Sequence, residues 1–144
     1  MWCLRDAQGE RDGCADEVEC APLVWGGSVE IVGSLLALAD GLGDPGSGRM
    51  ISGVPSAISQ VMSTSEIRVR AGAVVLAGEP LTSRILSAIR GTWPGARIRN
   101  IYGPTETTVY VTSWRCGEAD QVPVIGRPIT GTWSASSPEL HDVT

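Results

Sequence analysis

The sequence predicts an α/β domain: a partial sheet with parallel crossover units and flanking helices. Three consecutive segments carry this expectation. Val74-Val75-Leu76-Ala77 is an uninterrupted apolar run with Gly72 and Gly78 around it, the pattern of a strand buried on both faces. Ile85, Leu86 and Ile89 then recur at helical spacing, and Arg97 to Tyr102 alternates polar and apolar residues as a strand does. Strand, helix and strand in that order make a right-handed crossover, which sets the two strands parallel.

The remaining elements follow along the chain. The first twenty residues are polar and lack a clear period, so 1–20 is expected to be a poorly ordered lead-in with no assigned role. Trp25-Gly26-Gly27 is a turn signal, and Ser28 to Val32 alternates as a short strand. Leu35, Leu36 and Leu38 suggest a brief helix ending at Asp40-Gly41. The run from Gly41 to Gly48 holds four glycines and Pro45, so it reads as a surface loop. Met50-Ile51-Ser52 reads as a strand, and Pro55 opens a helix through about Met62 with Ile58, Val61 and Met62 on its apolar side. Thr82 can cap the helix that carries Ile85, and Trp93-Pro94-Gly95 stops it. A β-branched and aromatic strand is expected from Val109 to Trp114, then a turn near Cys116 to Asp120 and an apolar run from Val122 to Ile129. The tail from Trp133, residues 133–144, has no periodicity and no assigned role.

Composition narrows the chemistry. The chain has 144 residues, 42% hydrophobic and 19% charged, enough for one domain at most. All 11 cationic side chains are arginine, so no step that needs an ammonium group can be served from within this chain. A net charge of −5 opposes the counterion-releasing attraction that drives nucleic-acid binding, and no nucleic-acid partner is expected. Cys3, Cys14, Cys20 and Cys116 form no Cys-x-x-Cys pair, and His141 is the only histidine, which argues against zinc and for reduced thiols. No apolar stretch reaches the eighteen or so residues of a membrane helix. The N-terminal residues carry Arg5, Asp6, Glu10, Arg11 and Asp12 in place of a signal peptide, and a cytoplasmic location with no membrane partner is the expectation. Arg97 and Arg99, like Arg68 and Arg70, alternate along strands and read as a solvated face rather than a phosphate clamp. Ser52 and Ser56 flank Gly53-Val54-Pro55, but without a histidine nearby they do not suggest a serine hydrolase. The tryptophans are scattered and read as packing residues.

The loop from Asn100 to Thr108 gathers an amide, an aromatic ring, a Gly-Pro turn, hydroxyls and one carboxylate at the end of an expected strand. Such a set suits a nucleotide. Tyr102 can stack on a base, Asn100 offers a donor and an acceptor to a base edge, Thr105 can donate to phosphate, and Glu106 can ligand Mg²⁺. From the bare pattern alone, a hairpin or helix-capping turn is favoured over a functional site.

The stretch Asn100-Ile101-Tyr102-Gly103-Pro104-Thr105-Glu106-Thr107-Thr108 resembles the Tyr-Gly-Pro-Thr-Glu core motif of the adenylation domains of nonribosomal peptide synthetases, within the acyl-adenylate-forming (AMP-binding) superfamily. Two colinear stretches support it. Leu76-Ala77-Gly78-Glu79-Pro80-Leu81 is similar to the family's Gly-Gly-Glu-x-Leu segment, and Val124-Ile125-Gly126-Arg127-Pro128-Ile129 to its Ile-Gly-Arg-Pro segment. The likeness covers 21–132, read as a partial adenylation domain: a fragment of the large N-terminal subdomain of an adenylate-forming enzyme.

That resemblance implies a set of roles. The family joins a carboxylate to the α-phosphate of ATP, releases pyrophosphate and passes the acyl group to a carrier-protein thiol. Its implied cofactors are ATP and Mg²⁺, and its implied partners an amino-acid substrate and a peptidyl carrier protein. Tyr102 would stack on adenine beside Ile101 and Gly103, Asn100 would meet the amino edge, and Gly78, Glu79 and Pro80 would line the base through backbone. Thr105 and Glu106 would be catalytic, with Glu106 on magnesium. Ser52, Val75, Ala77, Ile101, Val109 and Tyr110 would wall the side-chain pocket. None of the six is charged, which points to a neutral, largely apolar amino acid, since a buried charge would lack a partner.

The family's phosphate loop, its Phe-Asp segment, its ribose-binding Asp and its C-terminal lysine have no counterpart in this chain. Losing even one preorganised charge costs on the order of 100-fold in rate, so the chain is expected to be inactive alone. A fragment of an amino-acid-activating enzyme is therefore the leading expectation. The alternatives are a subunit of a split adenylating enzyme and a non-catalytic adenine-nucleotide-binding module.

Overall fold

The computed structural model describes residues 2–5, 28–31, 49–63, 69–103, 110–117, 119 and 122–129. The helix expected after Leu35, the loop from Gly41 to Gly48 and the tail from Trp133 lie outside them. Among the described residues the chain order is β1 (Trp2–Arg5), β2 (Ser28–Ile31), β3 (Arg49–Gly53), α1 (Pro55–Met62), β4 (Ala71–Leu76), α2 (Ser83–Thr92), β5 (Arg97–Tyr102), β6 (Thr112–Arg115) and β7 (Arg127–Pro128).

These strands form one sheet in the order β2-β1-β3-β4-β5-β6-β7. β3, β4 and β5 are parallel, with Ile51 opposite Val74 and Val74 opposite Ile98, and every other pairing is antiparallel. The parallel crossover expected from the sequence is present, carried by α2. The mixed α/β class is as expected.

One expectation about the N-terminus changes. Trp2–Arg5 falls within the expected lead-in, yet it forms a strand paired on both sides, with β2 and with β3. Four residues are too few to show a period, and both partners are remote in sequence. The strand expected from Val109 to Trp114 is regular from Thr112 to Arg115. Its ladder still reaches back, since the Val111 N–H donates to the Tyr102 carbonyl at 2.9 Å.

Both helices pack on one face of the sheet. Ile58 and Val61 of α1 and Ile85, Leu86 and Ile89 of α2 join Ile51, Val74, Leu76 and Ile98 in a single buried cluster. Fully burying a side chain of this size stabilises by roughly 1.5–3 kcal/mol, so this face supplies most of the folding drive. Pro55 begins α1 because its missing N–H is not needed in a first turn. Thr82 caps α2, its Oγ1 accepting from the Ile85 N–H at 3.3 Å. Buried Trp93 ends that helix and donates from Nε1 to the Val69 carbonyl at 2.8 Å, tying the helix end to the chain entering β4. Arg90, in the last turn of α2, donates to Cys116 Sγ at 3.0 Å just after β6. No helix among the described residues is long and apolar enough to cross a membrane.

Candidate functional site

Because β3, β4 and β5 run parallel, their C-terminal ends lie side by side at one edge of the sheet, where open parallel sheets bind ligands. Three chain segments emerge there: Val54 to Ser56, Ala77 to Pro80, and Tyr102-Gly103.

The first two segments are clamped together. The Ala77 N–H donates to the Gly53 carbonyl at 3.3 Å. Gly78 has φ +81°, a conformation that favours glycine, and a Cβ there would lie 3.3 Å from Val54 Cγ1. Glu79 then turns its carboxylate onto the start of α1. Oε2 accepts from the Ser56 N–H at 2.9 Å and Oε1 from the Ser56 hydroxyl at 2.8 Å. The N-cap residue, Val54, has no side-chain oxygen to offer. Glu79 thus satisfies an orphan helix N–H from 23 residues away, with its charge at the positive end of the helix dipole.

The third segment follows β5. Along it Ile98, Asn100 and Ile101 are buried, while Tyr102 is 46% exposed at the sheet edge. Asn100 is 7% exposed and donates from Nδ2 to the Val124 carbonyl at 2.8 Å. That bond commits the amide nitrogen and leaves Oδ1, an acceptor, which receives no hydrogen bond from the described residues. Thr112, in register with Tyr102, donates from Oγ1 to the Ile125 carbonyl at 2.7 Å. Consecutive carbonyls of the 124–125 segment are therefore held by β5 and β6. Gly126 closes the arrangement at φ +89°, where a Cβ would collide with the Ser113 carbonyl group.

The face of the sheet away from the helices carries a second apolar cluster. Val75 and Ile101 are buried in it, with Met50, Ala77, Tyr110 and Ile129 packed against them. Ser52 is paired with Val75 and so projects from the same face. Five of the six residues expected to wall a side-chain pocket therefore share one surface. The sixth, Val109, lies outside the described residues, as do Thr105 and Glu106. Gly103 directly follows β5 and is half-buried.

Several participants leave little trace in the sequence. Ser56 stands out there only as a hydroxyl without a histidine, although Pro-Ser at a helix start is a signal for a first-turn partner. Met50, Thr112 and Ile129 fall in expected strands or motifs, but no local signal assigns them to this site, since pairing between distant strands brings them in. Arg97 is exposed and Arg99 half-buried, alternating with Ile98 and Asn100 as expected. Among the described residues no group of three His, Cys, Asp or Glu side chains could hold a metal ion.

Comparison with known proteins places this arrangement. The family model described as AMP-binding enzyme matches residues 21–134. This chain belongs to the AMP-binding enzyme family. It is 34% identical over 113 residues to AMB antimetabolite synthetase AmbB of Pseudomonas aeruginosa, covering 76% of this chain and 9% of that protein. It is 38% identical over 82 residues to tyrocidine synthase 2 of Brevibacillus parabrevis, covering 55% of this chain and 2% of that protein. Among solved structures it is similar to holo-AB3403, a four-domain nonribosomal peptide synthetase bound to AMP and glycine. There the TM-score is 0.52 and the identity 26%, covering 66% of this chain and 7% of that one. A variant of E. coli MenE with bound OSB-AMS shares the fold, with a TM-score of 0.50 and 23% identity over 72% of this chain and 20% of that one. The chain thus spans less than a tenth of the length of these two curated relatives. Its mixed α/β sheet corresponds to part of an AMP-binding domain.

Proposed function

We propose that this chain supplies the adenine-facing and side-chain-facing walls of an ATP-dependent amino-acid-activating site in nonribosomal peptide synthesis. The observation that carries the reading is the pairing of Asn100 with Tyr102. A half-exposed ring stands at the C-terminal edge of a parallel sheet, two residues from a buried amide whose nitrogen is engaged and whose oxygen is left to accept. Such a pair fits a flat base that offers an amino group on its edge.

In this reading the Tyr102 ring lies against adenine, Asn100 Oδ1 accepts from its exocyclic amine, and Gly78-Glu79-Pro80 lines the base through backbone. The amino-acid carboxylate attacks the α-phosphate of ATP and pyrophosphate leaves. A carrier-protein thiol then gives up its proton and attacks the acyl carbonyl, forming a thioester as AMP leaves. Thr105 would approach the phosphates, and Glu106 would hold magnesium, which neutralises phosphate charge when bound. Ser52, Val75, Ala77, Ile101, Val109 and Tyr110 would enclose the substrate side chain. They carry no charge, so the favoured substrate is a neutral, largely apolar amino acid.

This chain has no lysine. The ammonium that a lysine would bring to the reacting carboxylate and phosphate is not among its side chains, and in this reading the chain alone turns over no substrate.

Calorimetry of the chain with AMP and with GMP tests the base site. The reading requires AMP to bind and GMP to bind more weakly, since a 6-oxo group offers Asn100 Oδ1 no donor. Equal binding of both, or of neither, overturns it. Amino-acid-dependent ATP–pyrophosphate exchange should be absent with the chain alone. Exchange by the chain alone would refute that part of the reading.

A further inference from the structure

We infer that Ser56 is a positioning residue for the turn Gly78-Glu79-Pro80, with Glu79 serving as the strut between that turn and α1. The inference rests on the proposed function in one respect only, that this turn faces the base.

α1 starts at Pro55 with Val54 as its N-cap, and valine cannot accept a hydrogen bond from the first-turn N–H groups. An acceptor is supplied instead from the end of the next strand. Both carboxylate oxygens of Glu79 are used on one residue, Ser56, one on its N–H and one on its hydroxyl. A carboxylate held at two points by a helix N-terminus has a fixed direction, and so does the backbone on either side of it.

That backbone needs holding. Gly78 sits at φ +81°, accessible to a glycine but no more favourable than many other conformations open to it. Glu79 and Pro80 are exposed and contribute nothing to the core. Among the described residues, apart from the Ala77 N–H bond to Gly53, the Ser56–Glu79 pair is the polar contact that fixes the turn against α1. Ser56 and Glu79 are both exposed, and the bond from the Ser56 N–H that caps α1 does not depend on the hydroxyl, so losing the hydroxyl bond alone costs little global stability. Its effect is local: it sets where the turn stands relative to the strand ends.

The serine hydroxyl is the part that a substitution can remove without touching the helix backbone. Ser56→Ala deletes the bond to Oε1 and leaves the N–H bond to Oε2, so the carboxylate can swing about one point. Ser56→Thr keeps the hydroxyl.

Two measurements on the full chain test this. In hydrogen–deuterium exchange, Ser56→Ala should speed exchange at the Ala77, Gly78 and Glu79 amides roughly tenfold, with the α2 amides unchanged and Ser56→Thr restoring the original rates. Unchanged exchange at those three amides overturns the inference, whatever the ligand. In calorimetry, Ser56→Ala should weaken AMP binding roughly tenfold, without change in the thermal midpoint, and Ser56→Thr should recover it. If the parent chain binds AMP and Ser56→Ala binds it equally well, the positioning role fails while the base site stands. If the parent chain does not bind AMP, the base site fails, and with it the claim that this clamp serves a nucleotide. A thermal midpoint that falls together with affinity in Ser56→Ala, and returns with it in Ser56→Thr, marks a purely structural bond and also overturns the inference.

Discussion

Asn100 and Val124 are joined by a 2.8 Å hydrogen bond from the Asn100 amide nitrogen to the Val124 carbonyl, across 24 residues of sequence. The bond settles which end of the amide meets Val124, because a carbonyl can only accept. It also ties the Val124-Ile125-Gly126 segment to the strand whose last residue is Tyr102. Two motif stretches that look independent in sequence are one structural unit.

Asn100→Asp removes the donor and sets a carboxylate oxygen against the Val124 carbonyl in a site only 7% exposed. The variant should lose about 2–4 kcal/mol of stability near neutral pH, measured by urea unfolding. Burial raises the introduced carboxyl's pKa in the folded state above its unfolded value. The difference from the parent should therefore shrink as pH falls, because the protonated form can again donate to Val124. A pH-independent difference would mean that this hydrogen bond is not what the substitution breaks.

Tyr102→Ala should separate binding from folding. The ring is 46% exposed, so its removal should cost less than about 1 kcal/mol of stability. The proposed stacking of a base on that ring makes the expected loss of AMP affinity much larger, at least about tenfold. Parallel urea titrations and AMP calorimetry on the same preparations read both quantities. A variant that unfolds easily but binds normally would place the ring in the fold and not in the site.

Much of this is legible in the sequence, and the boundary is physical. α1 and α2 can be read because Pro55, Thr82, Ile85, Leu86 and Ile89 act within one or two turns of helix. The parallel pairing of β4 with β5 follows from the crossover between them. β1 cannot be read, since four residues show no period and both of its neighbours are distant. The set expected to wall a pocket comes from resemblance alone, and the structure adds that Ser52, Val75, Ala77, Ile101 and Tyr110 share a face. The capping of α1 by Glu79 is invisible, because a carboxylate 23 residues downstream leaves no mark in a local pattern.

Thr82→Ala should destabilise the chain by about 1 kcal/mol, since it leaves the Ile85 N–H without its acceptor at 3.3 Å. Thr82→Ser keeps the oxygen and should recover most of that loss. Thermal unfolding followed by circular dichroism measures both, and a Thr82→Ser variant as unstable as Thr82→Ala would show that the methyl group matters instead.

Gly126 and Gly91 provide a matched pair, because the same substitution should act in opposite directions. At Gly126 a Cβ would fall on the Ser113 carbonyl group and the Trp114 nitrogen, and φ is +89°. Backbone atoms of β6 cannot swing aside as a flexible side chain would, so the 126 segment must lift away. Its lifting would break the bonds that Asn100 and Thr112 make to Val124 and Ile125. Gly126→Ala should therefore cost more than about 2 kcal/mol, and AMP affinity should fall with it as the Asn100 amide loses its anchor. Gly91 is exposed near the end of α2, where a Cβ would meet no atom within 4 Å and the backbone is helical. There the added methyl only restricts the unfolded chain and favours helix, so Gly91→Ala should stabilise by about 0.5–1 kcal/mol. Urea midpoints of the two variants, compared with the parent, give both signs in one experiment. A Gly126→Ala variant as stable as the parent would mean that the 126 segment does not lie against β6.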